Sequence, residues 1–368
     1  MMNSLYVHIP FCIKKCLYCD FNSNSDLNLQ DAYVEALIKE IRSLDYDEFN
    51  TIFVGGGTPT ILNLKNMEKL LKELMKFNSK EFTFEANPGT ITGDKIKLLK
   101  EFGVNRISMG LQAWQDRLLK KLGRVHDLND FLFSYDLIRK EQFNNVNIDL
   151  MFAIPEQSVE DWIETVDNVL KIKPEHISCY SLIIEEGTPF YKMEMEGELK
   201  VVDESDERQM YYYSVSKLNS NGLNQYEISN FSMNGYECKH NITYWKNKEY
   251  IGVGSGAHSY ENGFRYFNIR KTDGYIKAMA NGSAVEERIK ITKNDEISEY
   301  MFLGLRMIEG INKKDFEERF NLKVEDIFQK EIIKLERQNL IINDKSSIKL
   351  TPKGIDLSNQ VFLHFLME

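Results

Sequence analysis

Thr51-Ile-Phe-Val54-Gly55-Gly56-Gly57-Thr58-Pro59-Thr60 is the stretch on which the fold turns. Strand-favouring residues run straight into three glycines. That pattern predicts a buried strand over 51–54, ending where the backbone must approach something closely. Apolar residues at helical spacing then predict a helix over 64–77, and a second strand is predicted over 81–86. Strand, glycine turn, helix and strand together make one βα unit.

Outward from there the unit repeats. Before it, 5–9 reads as a strand and 30–44 as a helix. After it come a helix over 94–102, a strand over 106–111, a helix over 128–141, a strand over 146–152, a helix over 158–172 and a strand over 176–184. About six units fit before Gly187, too few for a closed eight-stranded barrel. A partial barrel or an open doubly wound sheet remains, and the prediction is an α/β partial (βα)6 barrel. Residues 1–235 are expected to form this core. A connecting β-rich segment is expected over 236–290, with its short strands and loops over 225–268. Residues 291–368 form a smaller C-terminal α+β domain. In it, helices over 313–320 and 324–339 precede a hairpin over 340–350, which resembles a winged helix.

The 368 residues are 42% hydrophobic and 28% charged, which excludes disordered and low-complexity classes. With 46 basic and 56 acidic residues the net charge is −10, which disfavours a protein that coats nucleic acid. Residues 312–368 hold 10 basic and 10 acidic residues, so the winged module has no basic recognition face and is read as a packing or docking domain. No window reaches the roughly 18 consecutive apolar residues of a membrane span. No signal peptide is visible, so the chain is expected in the cytoplasm.

Three of the five cysteines crowd together as Cys12, Cys16 and Cys19; Cys179 and Cys238 are isolated. Close thiols in a reducing compartment read as metal or cluster ligands. A structural zinc site wants four ligands, and His8 or Asp20 could complete one. Three thiolates on a four-iron cube would instead leave one iron open for a ligand.

Cys12-Ile-Lys-Lys-Cys16-Leu-Tyr18-Cys19 resembles the Cys-x3-Cys-x-aromatic-Cys signature of the radical S-adenosylmethionine (SAM) superfamily. The glycine run from Gly55 to Thr58 resembles that superfamily's contact site for the SAM amino group. The resemblance implies a [4Fe–4S] cluster whose open iron holds SAM. Its metal ligands would be Cys12, Cys16 and Cys19.

Tyr6-Val-His8-Ile-Pro10-Phe11-Cys12 resembles a narrower branch, which contains the oxygen-independent coproporphyrinogen III dehydrogenases (HemN) and the heme chaperones (HemW). Glu85-Ala-Asn87-Pro88, Gly110-Leu-Gln112, Leu122-Gly-Arg124 and Asn147-Ile-Asp149 match in order. By this resemblance Tyr6, Tyr18, Gly56, Gly57, Thr58, Glu85, Gln112, Arg124 and Asp149 are the candidate cofactor contacts. Gly254-Ser-Gly-Ala-His258 is similar to a further stretch that meets SAM through its backbone. Where the branch commonly has Gly before Leu-Pro, this chain has Ala153-Ile-Pro155.

Two features separate the dehydrogenases from the chaperones. The dehydrogenases carry a fourth cysteine where Phe21 stands here, and a longer segment before the residue equivalent to Tyr6. His240-Asn-Ile-Thr-Tyr-Trp245 matches the His-Asn-x-x-Tyr-Trp motif of the chaperones and makes His240 the candidate heme ligand. The expectation is a heme chaperone carrying a SAM-liganded cluster. The alternatives are the dehydrogenase or a heme-degrading radical SAM methyltransferase. Whether the chain is an enzyme stays open at this point. The resemblance further implies membrane-bound respiratory enzymes as heme acceptors, a peripheral position at the membrane during transfer, and a homodimer.

Overall fold

The computed structural model describes residues 2–367. Six parallel strands alternate with helices, as the repeat predicts. They are β1 (Met2–Ile9), α1 (Gln30–Arg42), β2 (Phe49–Gly56), α2 (Leu64–Leu74), β3 (Glu81–Ala86), α3 (Gly93–Glu101) and β4 (Arg106–Gln112), then α4 (Asp116–Lys121), α5 (Leu128–Lys140), β5 (Val146–Phe152), α6 (Val159–Lys171) and β6 (His176–Ser181). The strands are buried along nearly their whole length, which is why they read as apolar runs rather than alternating ones. Helix starts are set locally. Asp127 with Asp130 and Ser158 with Asp161 form capping boxes at α5 and α6, and Asn63 caps α2.

The six strands lie in chain order, the arrangement of a barrel wall and not of a doubly wound sheet. The wall does not close on itself. After α7 (Pro189–Met195) and α8 (Glu204–Ser220), the antiparallel strands β7 (Asn224–Glu227) and β8 (Asn230–Ser232) extend it beyond β6. Beyond α9 (Lys239–Trp245), strand β9 (Ile251–Val253) pairs parallel with β1 at the other edge.

Two strand bounds differ from the expectation. The strand predicted over 176–184 stops at Ser181. The strand predicted over 51–54 runs on through Gly55 and Gly56, because the glycines continue the pairing with His8 and Ile9. The segment 236–290, expected as a connecting β-rich stretch with the heme motif, holds four short strands and helices as well. It carries two helices, α9 and, after the strands β10 (His258–Glu261) and β11 (Phe264–Asn268), α10 (Thr272–Ala280). Ile251, Val253, Tyr275 and Met279 are buried in the same core as the barrel strands.

Strand β12 (Val285–Lys290) completes a small antiparallel sheet with β10 and β11. A second core lies beyond it, built by α11 (Lys293–Gly304), β13 (Ile311–Asn312), α12 (Lys313–Phe320), α13 (Val324–Arg337) and the hairpin β14 (Ile341–Asn343) and β15 (Ser347–Leu350). Helix α11 escaped the sequence reading because its apolar residues do not keep to one helix face. Among the described residues, no helix is long and apolar enough to cross a membrane.

Candidate functional site

The cysteine loop hangs from the end of β1. Its backbone is tied at both ends: Cys12 donates its N–H to the Asn24 carbonyl (2.9 Å) and Leu17 to that of Leu122 (3.0 Å). All three thiols are free and partly exposed. No group of three His, Cys, Asp or Glu side chains among the described residues converges on one metal-ion position. A cube does not require that, because each thiolate takes a different iron corner.

The glycine turn fits against this loop without room for a side chain. A Cβ on Gly57 would lie 2.7 Å from the Phe11 carbonyl oxygen and 2.9 Å from Cys12 Sγ. Gly56 has φ +118°, and a Cβ there would meet the His8 ring at 2.7 Å. Crowding requires glycine at both positions, and the positive φ requires it at Gly56 as well. Thr58 Oγ1 donates to Cys12 Sγ at 3.6 Å, and Arg124 Nη1 to Cys16 Sγ at 3.7 Å.

Around the cysteines, the C-terminal ends of β2 to β5 bring Gly56, Glu85, Gln112 and Asp149 to one cavity, with Tyr18, Gly57, Thr58 and Arg124. Sites in barrels lie at this end of the strands. Glu85 accepts the Gly56 N–H at 3.1 Å. Burial first, and Asp149 second, push its carboxyl up to about 8. Burial also raises Asp149, against bonds from Asn147 (2.7 Å) and Ser108 (3.4 Å). Tyr18 is likewise raised by burial. The guanidinium of Arg124 is anchored by Asn87 Oδ1 (2.9 Å) and the Gly110 carbonyl (3.0 Å), while its Nε is buried without a partner.

Two candidates lie elsewhere. Tyr6 lines neighbouring cavities, its hydroxyl 2.9 Å from His8 Nδ1. His240 sits in the barrel interior on α9, near the opposite ends of the strands. There Ser4, Thr51 and Glu81 stand in one row of the register. Glu81 accepts the N–H groups of Lys239 (3.0 Å) and His240 (3.1 Å), holding the start of α9. The ring is 1% exposed; Nδ1 is 2.8 Å from Thr51 Oγ1 and Nε2 is 2.8 Å from the Tyr244 hydroxyl. Phe53 stacks on it at 4.9 Å. Burial lowers its pKa to about 3. Both nitrogens of this candidate heme ligand are hydrogen-bonded within the protein in this structure. The stretch from Gly254 to His258 packs against the cysteine loop rather than opening toward the cysteines: Asn22 Nδ2 donates to the Ser255 carbonyl at 2.9 Å.

Asn87 was missed as a candidate. It joins Thr58 (2.8 Å) to Arg124, and its signal was present in the Glu85-Ala-Asn87-Pro88 string.

The pattern of the radical SAM superfamily matches residues 6–169, and that of the HemN C-terminal domain matches 291–357. The heme chaperone HemW of Lactococcus lactis is 40% identical over 371 residues, covering 100% of this chain and 98% of that one. The heme chaperone HemW of Bacillus subtilis is 40% identical over 378 residues, covering 100% of both chains. This chain belongs to the HemW family. The structure of Escherichia coli coproporphyrinogen III oxidase (HemN) superposes with a TM-score of 0.85 at 22% identity, covering 100% of this chain and 90% of that one. That likeness speaks to the fold alone.

Radical SAM membership brings a [4Fe–4S] cluster and SAM as cofactors. The residues present fit them. Three thiols supply cluster ligands and leave one corner open. Two buried carboxyls, both raised chiefly by burial, suit an ammonium, a sulfonium and ribose hydroxyls. The unpartnered Arg124 Nε suits a carboxylate.

Proposed function

We propose that this protein is a heme chaperone: it binds heme and hands it to acceptor proteins while carrying a SAM-coordinated cluster. The observation that carries the reading is 40% identity with curated heme chaperones along the whole chain, barrel and C-terminal module alike. Phe21, at the position of the dehydrogenases' fourth cysteine, supports it against porphyrinogen oxidation.

In this reading Cys12, Cys16 and Cys19 hold the cluster. Gly56, Gly57 and Thr58 offer backbone to SAM, Glu85 and Asp149 take its positive groups and hydroxyls, and Arg124 takes its carboxylate. Gln112 and Tyr18 complete the wall, and Tyr6, whose hydroxyl meets His8, is a further cofactor contact beside it. Bound there, the cluster and SAM supply one-electron chemistry. The chain's own residues hold, orient and shield them. From the family resemblance we further propose membrane-bound respiratory enzymes as acceptors, a cytoplasmic protein that works at the membrane periphery, and a homodimer.

The test is anaerobic reconstitution followed by two parallel assays. Heme should pass from the loaded protein to an apo-acceptor. Coproporphyrinogen III should stay unconverted with SAM and reductant. Turnover at about 1 per second, or even a hundredfold slower, overturns the chaperone reading. Iron counting checks the ligand set. Ala at Cys12, Cys16 or Cys19 should remove the cluster, and Ala at the buried Cys179 or Cys238 should keep it.

A further inference from the structure

Ser108 of β4, Asn147 of β5 and His176 of β6 stand in one row of the register across the barrel wall. Asp149 and Ser178 stand opposite each other two positions further on. Side chains two apart on a strand share a face, so these groups meet. Barrel interiors are ordinarily filled by branched apolar side chains. Here the filling is polar, and Ser108, Asn147, His176 and Ser178 are each at most 5% exposed. Polar groups at that depth cost free energy unless each one is bonded.

Asn147 makes every bond its amide can make. Its Nδ2 donates to Asp149 Oδ1 (2.7 Å) and to Ser108 Oγ (2.7 Å). Its Oδ1 accepts from Ser178 Oγ at 3.1 Å and lies 2.6 Å from His176 Nδ1. His176 Nε2 is 2.8 Å from the hydroxyl of Tyr226 on β7, and that oxygen accepts the Cys238 N–H at 3.3 Å. The amide orientation decides the rest. A carboxylate only accepts, so Asn147 must show Asp149 its nitrogen, and its oxygen then faces His176. The imidazole must carry its proton on Nδ1, which leaves Nε2 to accept from the Tyr226 hydroxyl. From Cys238 through Tyr226, His176 and Asn147, every link donates toward Asp149.

Asp149 lines the SAM cavity, whereas Asn147 and His176 do not, so these two reach the ligand only through Asp149. Ser108 supplies a second donor, 3.4 Å from Asp149 Oδ2. Arg106 of β4 adds positive charge from the interior side. Glu85, the other carboxyl of the cavity, accepts the Gly56 N–H and has no such chain behind it. Hydrogen bonds given to a carboxylate favour its charged form and fix its plane. A purely structural network needs its polar atoms paired, but it does not need them all to point one way.

We propose that His176 and Asn147 are positioning residues for SAM: their one-directional chain holds the Asp149 carboxylate charged and oriented to receive the ligand. The inference rests on the reading of Asp149 as a SAM contact. It gives His176, which no sequence motif singles out, a part in the site.

SAM is titrated calorimetrically, at one fixed pH, into anaerobic cluster-loaded protein. Iron content and circular dichroism accompany each variant, to show that cluster and fold are intact. His176→Leu removes both links of the imidazole and should weaken SAM binding about tenfold, as loss of the support behind a ligand-holding group does. His176→Asn places an amide nitrogen where Nδ1 stands and should recover most of that loss, to within about threefold of wild type. A packing role would not be rescued in this way, because the amide fills no more of the ring's space than leucine does. In an Asp149→Ala background, His176→Leu should change the affinity by less than about twofold. An equal loss in both backgrounds overturns the proposal. So does wild-type affinity in His176→Leu, or no recovery in His176→Asn. Nitrogen NMR of histidine-labelled wild type gives a test that does not depend on the folding of His176→Leu. The His176 signals, assigned by their absence from His176→Asn, should show the proton on Nδ1 and a bare Nε2. A proton on Nε2 reverses the chain and overturns the proposal. Wild-type SAM affinity in Asp149→Ala overturns instead the reading of Asp149 as a contact, and the proposal with it.

Discussion

The Glu85 carboxyl, beside Asp149 and the Gly56 N–H, keeps its proton up to about pH 8. Its native value lies above the ordinary 4.5, so the folded protein binds more protons than the unfolded chain between those two values. Stability from this group is therefore full below pH 4.5 and falls as pH rises toward 8. A cationic ligand reverses the preference, because it favours the carboxylate. SAM affinity measured on cluster-loaded protein by calorimetry should rise from pH 6 to pH 8, by at most about tenfold per unit, with a proton released on binding. Glu85→Gln should flatten that slope and abolish the proton release. The same slope in the variant would show that another group governs SAM binding. Much at this scale was legible in the sequence. Glu85, Gln112 and Asp149 stand in strings at strand ends, and strand ends converge in a barrel. The Asn87 bridge was not legible, since its partners Thr58 and Arg124 are separated from it by 29 and 37 positions.

Among the elements, α9 shows what tertiary contacts can do for a sequence that announces no helix. Its seven residues, Lys239–Trp245, have no amphipathic period long enough to recognise. The Glu81 carboxylate takes the first two N–H groups, and Thr243 accepts a bond from Ser4 at 2.8 Å. Neither partner is near in sequence, so the stretch read as loop and short strands. For the same reason the position of His240 inside the barrel, where the Glu81 clamp draws it, was not legible. Glu81→Ala would leave the N–H groups of Lys239 and His240 without their acceptor, that of His240 buried. It should cost about 3 kcal/mol in urea unfolding. Glu81→Gln, which keeps one acceptor, should cost less. A loss below about 0.5 kcal/mol for Glu81→Ala would mean that α9 is held in place without the clamp. The six long strands were legible because burial on both faces writes itself as apolar runs. The three-residue strand β9 was not, since its three residues are too few to show a pattern and its place beside β1 is set by contacts distant in sequence.

Across the molecule, Arg306 is one of several residues that join the two hydrophobic cores. Arg306, just after α11, lies 3.7 Å from Glu227 of β7 and stacks on Trp245 of α9 at 4.5 Å. Backbone bonds reinforce the joint: Ile228 donates to the Arg306 carbonyl at 3.1 Å, and Ile308 to that of Tyr226 at 3.0 Å. Glu227 is fully buried, and burial raises its pKa against the pull of Arg306. Arg306→Ala removes the cation and leaves that carboxyl without its counter-charge. A buried pair broken from one side costs about 3–5 kcal/mol when the remaining group is ionised, and less when it can take up a proton. Glu227 should therefore escape most of the loss at low pH, where it is protonated. The stability gap between wild type and Arg306→Ala, read from thermal unfolding, should be small near pH 5 and widen toward pH 8. Taking the difference cancels the pH dependence that both proteins share through Glu85. A gap that is constant with pH would show that Arg306 joins the two cores by packing on Trp245 and not through Glu227.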